Sequence, residues 1–240
     1  MKSPEEVAKF YDDYSSRQET MWHNERHYFL IEQLKRLGVK NDSIILEIGC
    51  GIGTMTNLMA PLVKIGKLVS SDISPKSIEI SKNYNQKFNN IEFIVADSTN
   101  FSFPKLNYDF IVLFDVLEHI QTEFRPEILK LCALQMGENT QLLINVPAPE
   151  AHKYAITNFP EAMQLVEIPV YLKEVLPILE SNNLEITSFF SYDMWQPNEY
   201  DFYQIRKKKT YEYKKLTPPQ YLNPQWIINR IKRKLKLNII

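Results

Sequence analysis

The chain has 240 residues, 44% of them hydrophobic and 24% charged, the proportions of an ordinary globular domain with enough apolar mass for a sizeable core. No run approaches the roughly 18 apolar residues of a membrane span, the opening MKSPEEVAKFYDDY is too acidic and polar for a secretory signal, and Cys50 and Cys132 form neither a metal spacing nor a disulfide framework, so a cytoplasmic setting is expected. The net charge of −1 hides an asymmetry: residues 206–240 hold eleven Lys/Arg against the single acid Glu212, which leaves residues 1–205 at −11.

In chain order, Asn24–Leu37 reads as an amphipathic helix packed on the sheet that follows. Ile44–Ile48 (IILEI) is a short apolar strand after the turn residues Lys40-Asn41-Asp42-Ser43. The glycine-rich stretch LEIGCGIGTM comes next and leads into a helix from about Thr54 to Val63. Lys67–Ser71 is a second strand ended by Asp72. Ser74-Pro75 opens a helix, with serine as N-cap and proline at the first position. Ile91–Ala96 and Tyr108–Phe114 are strands three and four, the fourth apolar throughout after Asp109, as for a strand covered on both faces. Glu127–Gln135 has helical period, and Gln141–Val146 is strand five. Pro147–Pro160 reads as a proline-rich break. A helix over about Val170–Ser181, bent at Pro177, and the strands Leu184–Phe190 and Tyr200–Arg206 complete an α/β pattern. The expected fold is a Rossmann-like, seven-stranded, mostly parallel sheet with helices on both faces and the last strand antiparallel.

In such a sheet a ligand binds at the carboxyl ends of the strands, beside the loop after strand one. The loop is not a P-loop, because no Gly-Lys-Ser/Thr follows, and the spacing Gly49-x-Gly51-x-Gly53 differs from the dinucleotide fingerprint. Asp72 lies 19 residues beyond Gly53, where a carboxylate accepts from ribose hydroxyls. Asp97 ends strand three in VADS, placed for an exocyclic adenine amine. Each acid alone is as well explained by capping or by a turn. Together they describe an adenosine pocket without a phosphate cradle.

From Asn24 to Arg206 the sequence resembles the class I S-adenosylmethionine (SAM)-dependent methyltransferases. LEIGCGIGT resembles that family's first motif, SSDIS its second, VADS its third, and YDFIVLFDVLEHI its fourth with the segment after it. The resemblance implies SAM as cofactor. It implies that Gly49, Gly51 and Gly53 face the methionine part with Glu47 beside them, that Asp72 takes the ribose, that Ile73 packs on the adenine, that Asp97 and Ser98 read its edge, and that Phe114 lies along the cofactor.

After strand four the chain has neither the Asp/Asn-Pro-Pro-aromatic segment of enzymes that methylate amino groups of bases or glutamine nor the cysteine nucleophile of those that methylate carbon 5 of pyrimidines. Asp115-Val116-Leu117-Glu118-His119 resembles instead the branch acting on small molecules and sugars, which gives Asp115, Glu118 and His119 as candidate catalytic residues. A hydroxyl must lose a proton as it attacks the methyl sulfonium, and an imidazole at His119 suits that near pH 7. Some relatives bind a divalent ion with acid-x-x-Glu-His. Asp115, Glu118 and His119 match that trio, with His152 as a further candidate, but the metal is the lesser reading because a fourth ligand cannot be aligned.

Residues 1–40 are expected to form a helical lid, with Tyr11, Tyr14 or Arg26 reaching the cofactor carboxylate. Residues 41–207 form the SAM-binding domain, and an insertion at about 147–167 covers the substrate, with His152, Tyr154 and Phe159 as candidate contacts. In the basic tail 208–240, Ile227, Ile228, Ile231, Leu235 and Ile239 share one helical sector from Trp226 on, a pattern for peripheral contact with an anionic membrane through 226–240 or for packing on the acidic body. The acceptor expected is the hydroxyl of a small molecule, a sugar or a lipid-linked glycan. An RNA 2′-O-methyltransferase and a non-catalytic scaffold are the alternatives, and the acidic body disfavours nucleic acid.

Overall fold

A computed structural model of the protein describes residues 6–12, 23–97, 103–211, 224, 227, 228, 230 and 231. The chain divides into two compact units, Met1–Lys208 and Lys209–Ile240. In the first, residues 6–12 are helical (α1). They are followed by α2 (Glu25–Arg36), β1 (Ile44–Ile48), α3 (Thr54–Met59), β2 (Lys67–Asp72), α4 (Pro75–Tyr84), β3 (Ile91–Val95), β4 (Phe110–Phe114), α5 (Arg125–Gln135), β5 (Gln141–Pro147), α6 (Pro149–Asn158), α7 (Leu172–Ser181), β6 (Leu184–Tyr192) and β7 (Tyr200–Lys207).

The seven strands form one sheet in the order β3-β2-β1-β4-β5-β7-β6. Strands β1 to β5 pair in parallel, and β7 runs antiparallel to both β5 and β6. Alternation along the strands divides the core between the two faces. Leu46 and Ile48 of β1 and Ile111 and Leu113 of β4 pack with α5 and α7. Ile45 of β1 and Phe110, Val112 and Phe114 of β4 pack with α2 and α3. The order reverses between β1 and β4, so their carboxyl ends diverge and open a crevice.

Two expectations are corrected. The stretch 147–160 is not a break, because α6 runs through it; Pro149 occupies the first turn, where a missing N–H costs nothing, and Ala148 supplies the extended N-cap. The helix expected to Val63 ends at Met59 and passes into a 3₁₀ turn at Ala60–Leu62, where Pro61 tightens the chain. In the tail, Ile227, Ile228, Arg230 and Ile231 are helical and exposed; the rest of the expected amphipathic stretch lies outside the described residues, as do Tyr14 and Ser98. Among the described residues no helix is long and apolar enough to cross a membrane.

Candidate active site at the switch point of the sheet

Gly49 and Gly51 follow β1 with φ of 77° and 52°, a region L side chains adopt only under strain. A Cβ on Gly49 would lie 2.5 Å from Val116 Cγ2, so the loop and the segment after β4 are packed as closely as glycine allows. Gly53 answers to a different neighbour. It caps α3 at φ 85°, and a Cβ there would meet Ser81 Oγ at 2.0 Å and Asn85 Nδ2 at 2.6 Å on α4. It lines neither cavity; its lack of a side chain serves helix packing.

Two cavities of about 140 and 230 Å³ occupy the crevice and share Gly49, Gly51, Asp115 and Gln164 in their walls. The first is walled by Asp72, Ile73 and Asp97 from the β2 and β3 ends, by His119 and Ile120, and by Val7 and Tyr11 of α1. The second is walled by Glu47, Thr54, Met55, Phe114, Arg26 and His27. Asp72 braces the loop: Oδ2 accepts from Gly51 N at 2.8 Å and Oδ1 from Ser74 N at 2.9 Å. Burial raises its carboxyl above the usual range, against those N–H bonds. The Ile73 N–H adds to the donors around this carboxylate. Glu47 is buried, with Oε2 accepting from Thr56 Oγ1 at 2.6 Å and Ser70 Oγ at 2.7 Å. Burial pushes this carboxyl up to about 7, the two hydroxyls pulling the other way.

Asp115 has φ 58°, tolerable for Asp and held by its partners. Its Oδ2 is 2.8 Å from Arg26 Nη2, and its Oδ1 accepts from Asn145 Nδ2 at 2.9 Å. Arg26 also donates to Tyr200 Oη at 2.6 Å. Burial works against the guanidinium charge, and Asp115 and Tyr200 outweigh it. Its Nε–H is buried without a partner beside the second cavity.

His119 lines the first cavity. Its Nδ1 is 2.9 Å from the Val166 carbonyl, which can only accept, so Nδ1 carries the proton and Nε2 the lone pair; Gln164 Nε2 donates to that Nε2 at 3.0 Å. Burial lowers the imidazole below its ordinary value, although the Glu167 charge and the Val166 carbonyl raise it. Glu118, expected beside it, is 2% exposed, lines neither cavity and leaves Oε2 without a partner. Burial, then the charge of Asp115, drives its carboxyl well above the usual range. It stands behind the wall because it belongs to the inward side of the 3₁₀ turn Leu117–His119.

Among the described residues no three His, Cys, Asp or Glu side chains converge in metal-binding geometry. Asp115 is turned to Arg26 and Asn145, and His152 gives its Nε2 to Glu167 at 2.6 Å; these residues do not fit a divalent ion. Tyr154 and Phe159 are exposed on and just after α6 and line neither cavity. Sequence reasoning missed Gln164 and Glu167, which lie in an irregular stretch without motif or period.

A sheet of this order with its cavities at the β1/β4 switch is the architecture of the class I SAM-dependent methyltransferases. The family model described as "Methyltransferase domain" matches residues 21–193, and the chain belongs to that family. Nodulation protein S of Sinorhizobium fredii is 33% identical over 99 residues, 40% of this chain and 43% of that protein's own length; the match spans less than half of the relative. Magnesium protoporphyrin IX methyltransferase from Synechocystis with bound SAM superposes with a TM-score of 0.66 at 14% identity, covering 87% of this chain and 98% of that one. The N-methyltransferase NodS from Bradyrhizobium japonicum, in complex with S-adenosylhomocysteine (SAH), does so at 0.60 and 19%, covering 77% and 87%. At those identities the two structures speak for the fold.

Proposed function

We propose that the protein transfers the methyl group of SAM to a hydroxyl of a small molecule or glycan, with His119 as general base. The observation that carries this reading is His119 in the wall of the first cavity, its imidazole lowered by burial, with Nδ1 at the Val166 carbonyl and Nε2 bonded by Gln164, a residue of both cavities.

The first cavity suits adenosine: Asp72 for the ribose hydroxyls, Ile73 against the base, Asp97 for its amine. The second suits the methionine part, with Gly49 and Gly51 along the chain, Phe114 against it, and the unpartnered Arg26 Nε–H beside the carboxylate. The sulfonium then falls at the shared wall of Gly49, Gly51, Asp115 and Gln164. An acceptor hydroxyl there gives its proton to His119 Nε2 while its oxygen attacks the methyl carbon, and the carbon–sulfur electron pair goes to sulfur, leaving SAH. The chemistry asks chiefly for alignment, so Asp115 contributes by fixing Arg26 and the β4 turn. Residues 1–40 act as the lid and 147–167 as the substrate cover. A net charge of −11 over residues 1–205 makes a phosphate backbone a poor partner, which favours small acceptors over RNA.

Calorimetry with SAH tests the cofactor half. Micromolar binding is expected, weakened at least about tenfold in Asp72→Ala by the loss of hydroxyl acceptors and of the brace on Gly51. No binding up to millimolar SAH would sink the reading. For the acceptor half, His119→Ala should keep SAH binding and lose about 10²-fold or more in turnover of hydroxyl acceptors; unchanged turnover would remove His119 from the chemistry.

A further inference from the structure

The surroundings of His119 come from one short stretch of chain. Gln164 donates to its Nε2, Val166 accepts from its Nδ1, and Glu167 Oε1 stands 3.7 Å from Nδ1. The stretch is itself braced. Gln164 N donates to Glu167 Oε1 at 2.8 Å, and the other oxygen of that carboxylate takes the 2.6 Å bond from His152 on α6. Arg125, 2% exposed at the start of α5, ties the stretch to the turn bearing His119. Its Nε donates to the carbonyls of Leu117 and Ile120, and its Nη atoms to those of Pro169 and Ile168. Ile168 N closes the joint on Glu118 O at 2.9 Å. A buried cation that bonds four backbone carbonyls from two segments, and the Glu174 carboxylate at 3.4 Å besides, holds the separation of the segments fixed.

Within this frame only Gln164 meets both the base and the shared wall of the cavities. We propose that Gln164 is the acceptor-binding residue of the site: its carboxamide holds the place of the acceptor hydroxyl on His119 Nε2 and, when the acceptor arrives, turns to grip the oxygen beside it. This rests on the reading of His119 as base. Chemistry supports the exchange. A carboxamide both donates and accepts, so after leaving Nε2 it bonds either an ether oxygen or a second hydroxyl. The hydroxyl that displaces it donates to Nε2 as the amide did, so Nε2 has a donor before and after the exchange. The acceptor class that satisfies both partners is a hydroxyl with a second oxygen on the neighbouring carbon, as in a vicinal diol. Val166 keeps the proton on Nδ1 throughout, so Nε2 is a lone pair when the acceptor lands.

The test needs no acceptor at first. With four histidines in the chain, long-range proton–nitrogen spectra of ring-labelled protein resolve each tautomer. The wild type should show His119 protonated on Nδ1, with Nε2 at the position of a hydrogen-bonded lone pair. Gln164→Ala should keep that tautomer and move Nε2 to the position of an unbonded nitrogen. A second measurement uses cis-cyclohexane-1,2-diol and cyclohexanol as probe acceptors with SAM. The diol should be preferred by the wild type, and Gln164→Ala should erase the preference by raising the KM of the diol about tenfold, the worth of one hydrogen bond, with a smaller effect on kcat. An Nε2–H tautomer, an Nε2 signal indifferent to Gln164, or equal use of the two alcohols by the wild type would overturn the proposal. Failure of the underlying reading would show separately, as wild-type protein that binds no SAH or as full turnover by His119→Ala.

Discussion

Glu47 shows how far burial at the glycine loop can carry a side chain from its free chemistry. Its carboxyl is raised from 4.5 to about 7, chiefly by loss of water, although Thr56 and Ser70 both donate to it. A raised carboxyl makes the native state hold a proton that the unfolded chain has released. Between about pH 4.5 and 7 the native state therefore binds more protons than the unfolded one, and stability from this group falls as pH rises through that window and levels above it. Glu47→Gln keeps an acceptor for the two hydroxyls and removes the titration. Urea unfolding of both proteins at pH 5 and 7.5 should show the wild type losing up to about 3 kcal/mol relative to the variant across the interval. Parallel pH profiles would mean that Glu47 is charged in the native state. At this scale the sequence was only partly legible. Gly49, Gly51, Asp72 and His119 stood out because each residue type at its spacing has a chemical use. Gly53 looked like a third member of the loop, yet its constraint comes from Ser81 and Asn85 on a helix about thirty residues away, a contact no local pattern encodes. Gln164 and Glu167 matter through the ring they surround, and nothing in QLVE announces that.

Among the elements, α1 has the most direct hold on the cavities. It brings Val7 and Tyr11 into the wall of the first one, with the Tyr11 ring edge-on to His119 at 6.5 Å. It is latched at Asp12, whose Oδ1 accepts from Ser74 Oγ at 2.5 Å and Lys76 N at 3.2 Å at the start of α4. Ser74 is also the N-cap of α4, and its own N–H braces Asp72, so the latch and the brace on Asp72 share one residue. If α1 covers bound cofactor, opening that latch should precede release. Asp12→Ala removes its bonds to Ser74 and Lys76, about 1–2 kcal/mol, and should speed SAH release on the order of tenfold in stopped-flow displacement, with association less affected. An unchanged release rate would leave α1 as a fixed wall. The elements themselves were readable where period and punctuation agreed, as at Ser74-Pro75 or the apolar β4. The missed helix α6 shows the limit. Prolines 147, 149 and 160 read as breakers, but one at the first turn of a helix and one just past its end are compatible with ten helical residues between them.

For the whole molecule, the alternation of strands and helices made a seven-stranded, mostly parallel sheet with an antiparallel last strand legible, while the order β3-β2-β1-β4-β5-β7-β6 depends on long-range pairings that no local pattern states. The charge distribution has no such structural reading. Eleven basic residues after residue 205 stand against a body of −11, and Lys209–Ile240 is a compact unit distinct from Met1–Lys208. Helical Ile227, Ile228 and Ile231 are exposed, and apolar residues interleaved with lysine and arginine suit an anionic lipid surface, where each basic side chain contributes about 1 kcal/mol. A chain ending at Lys208 keeps every residue that walls the two cavities. It should therefore bind SAH as tightly as the full chain and unfold at the same temperature. The full chain should float with vesicles containing phosphatidylglycerol and detach as salt rises, while the shortened chain stays in solution. Flotation of both proteins would move the contact to the body. Flotation of neither would leave the basic tail to a partner other than lipid, and a loss of SAH binding on truncation would make the tail part of the site.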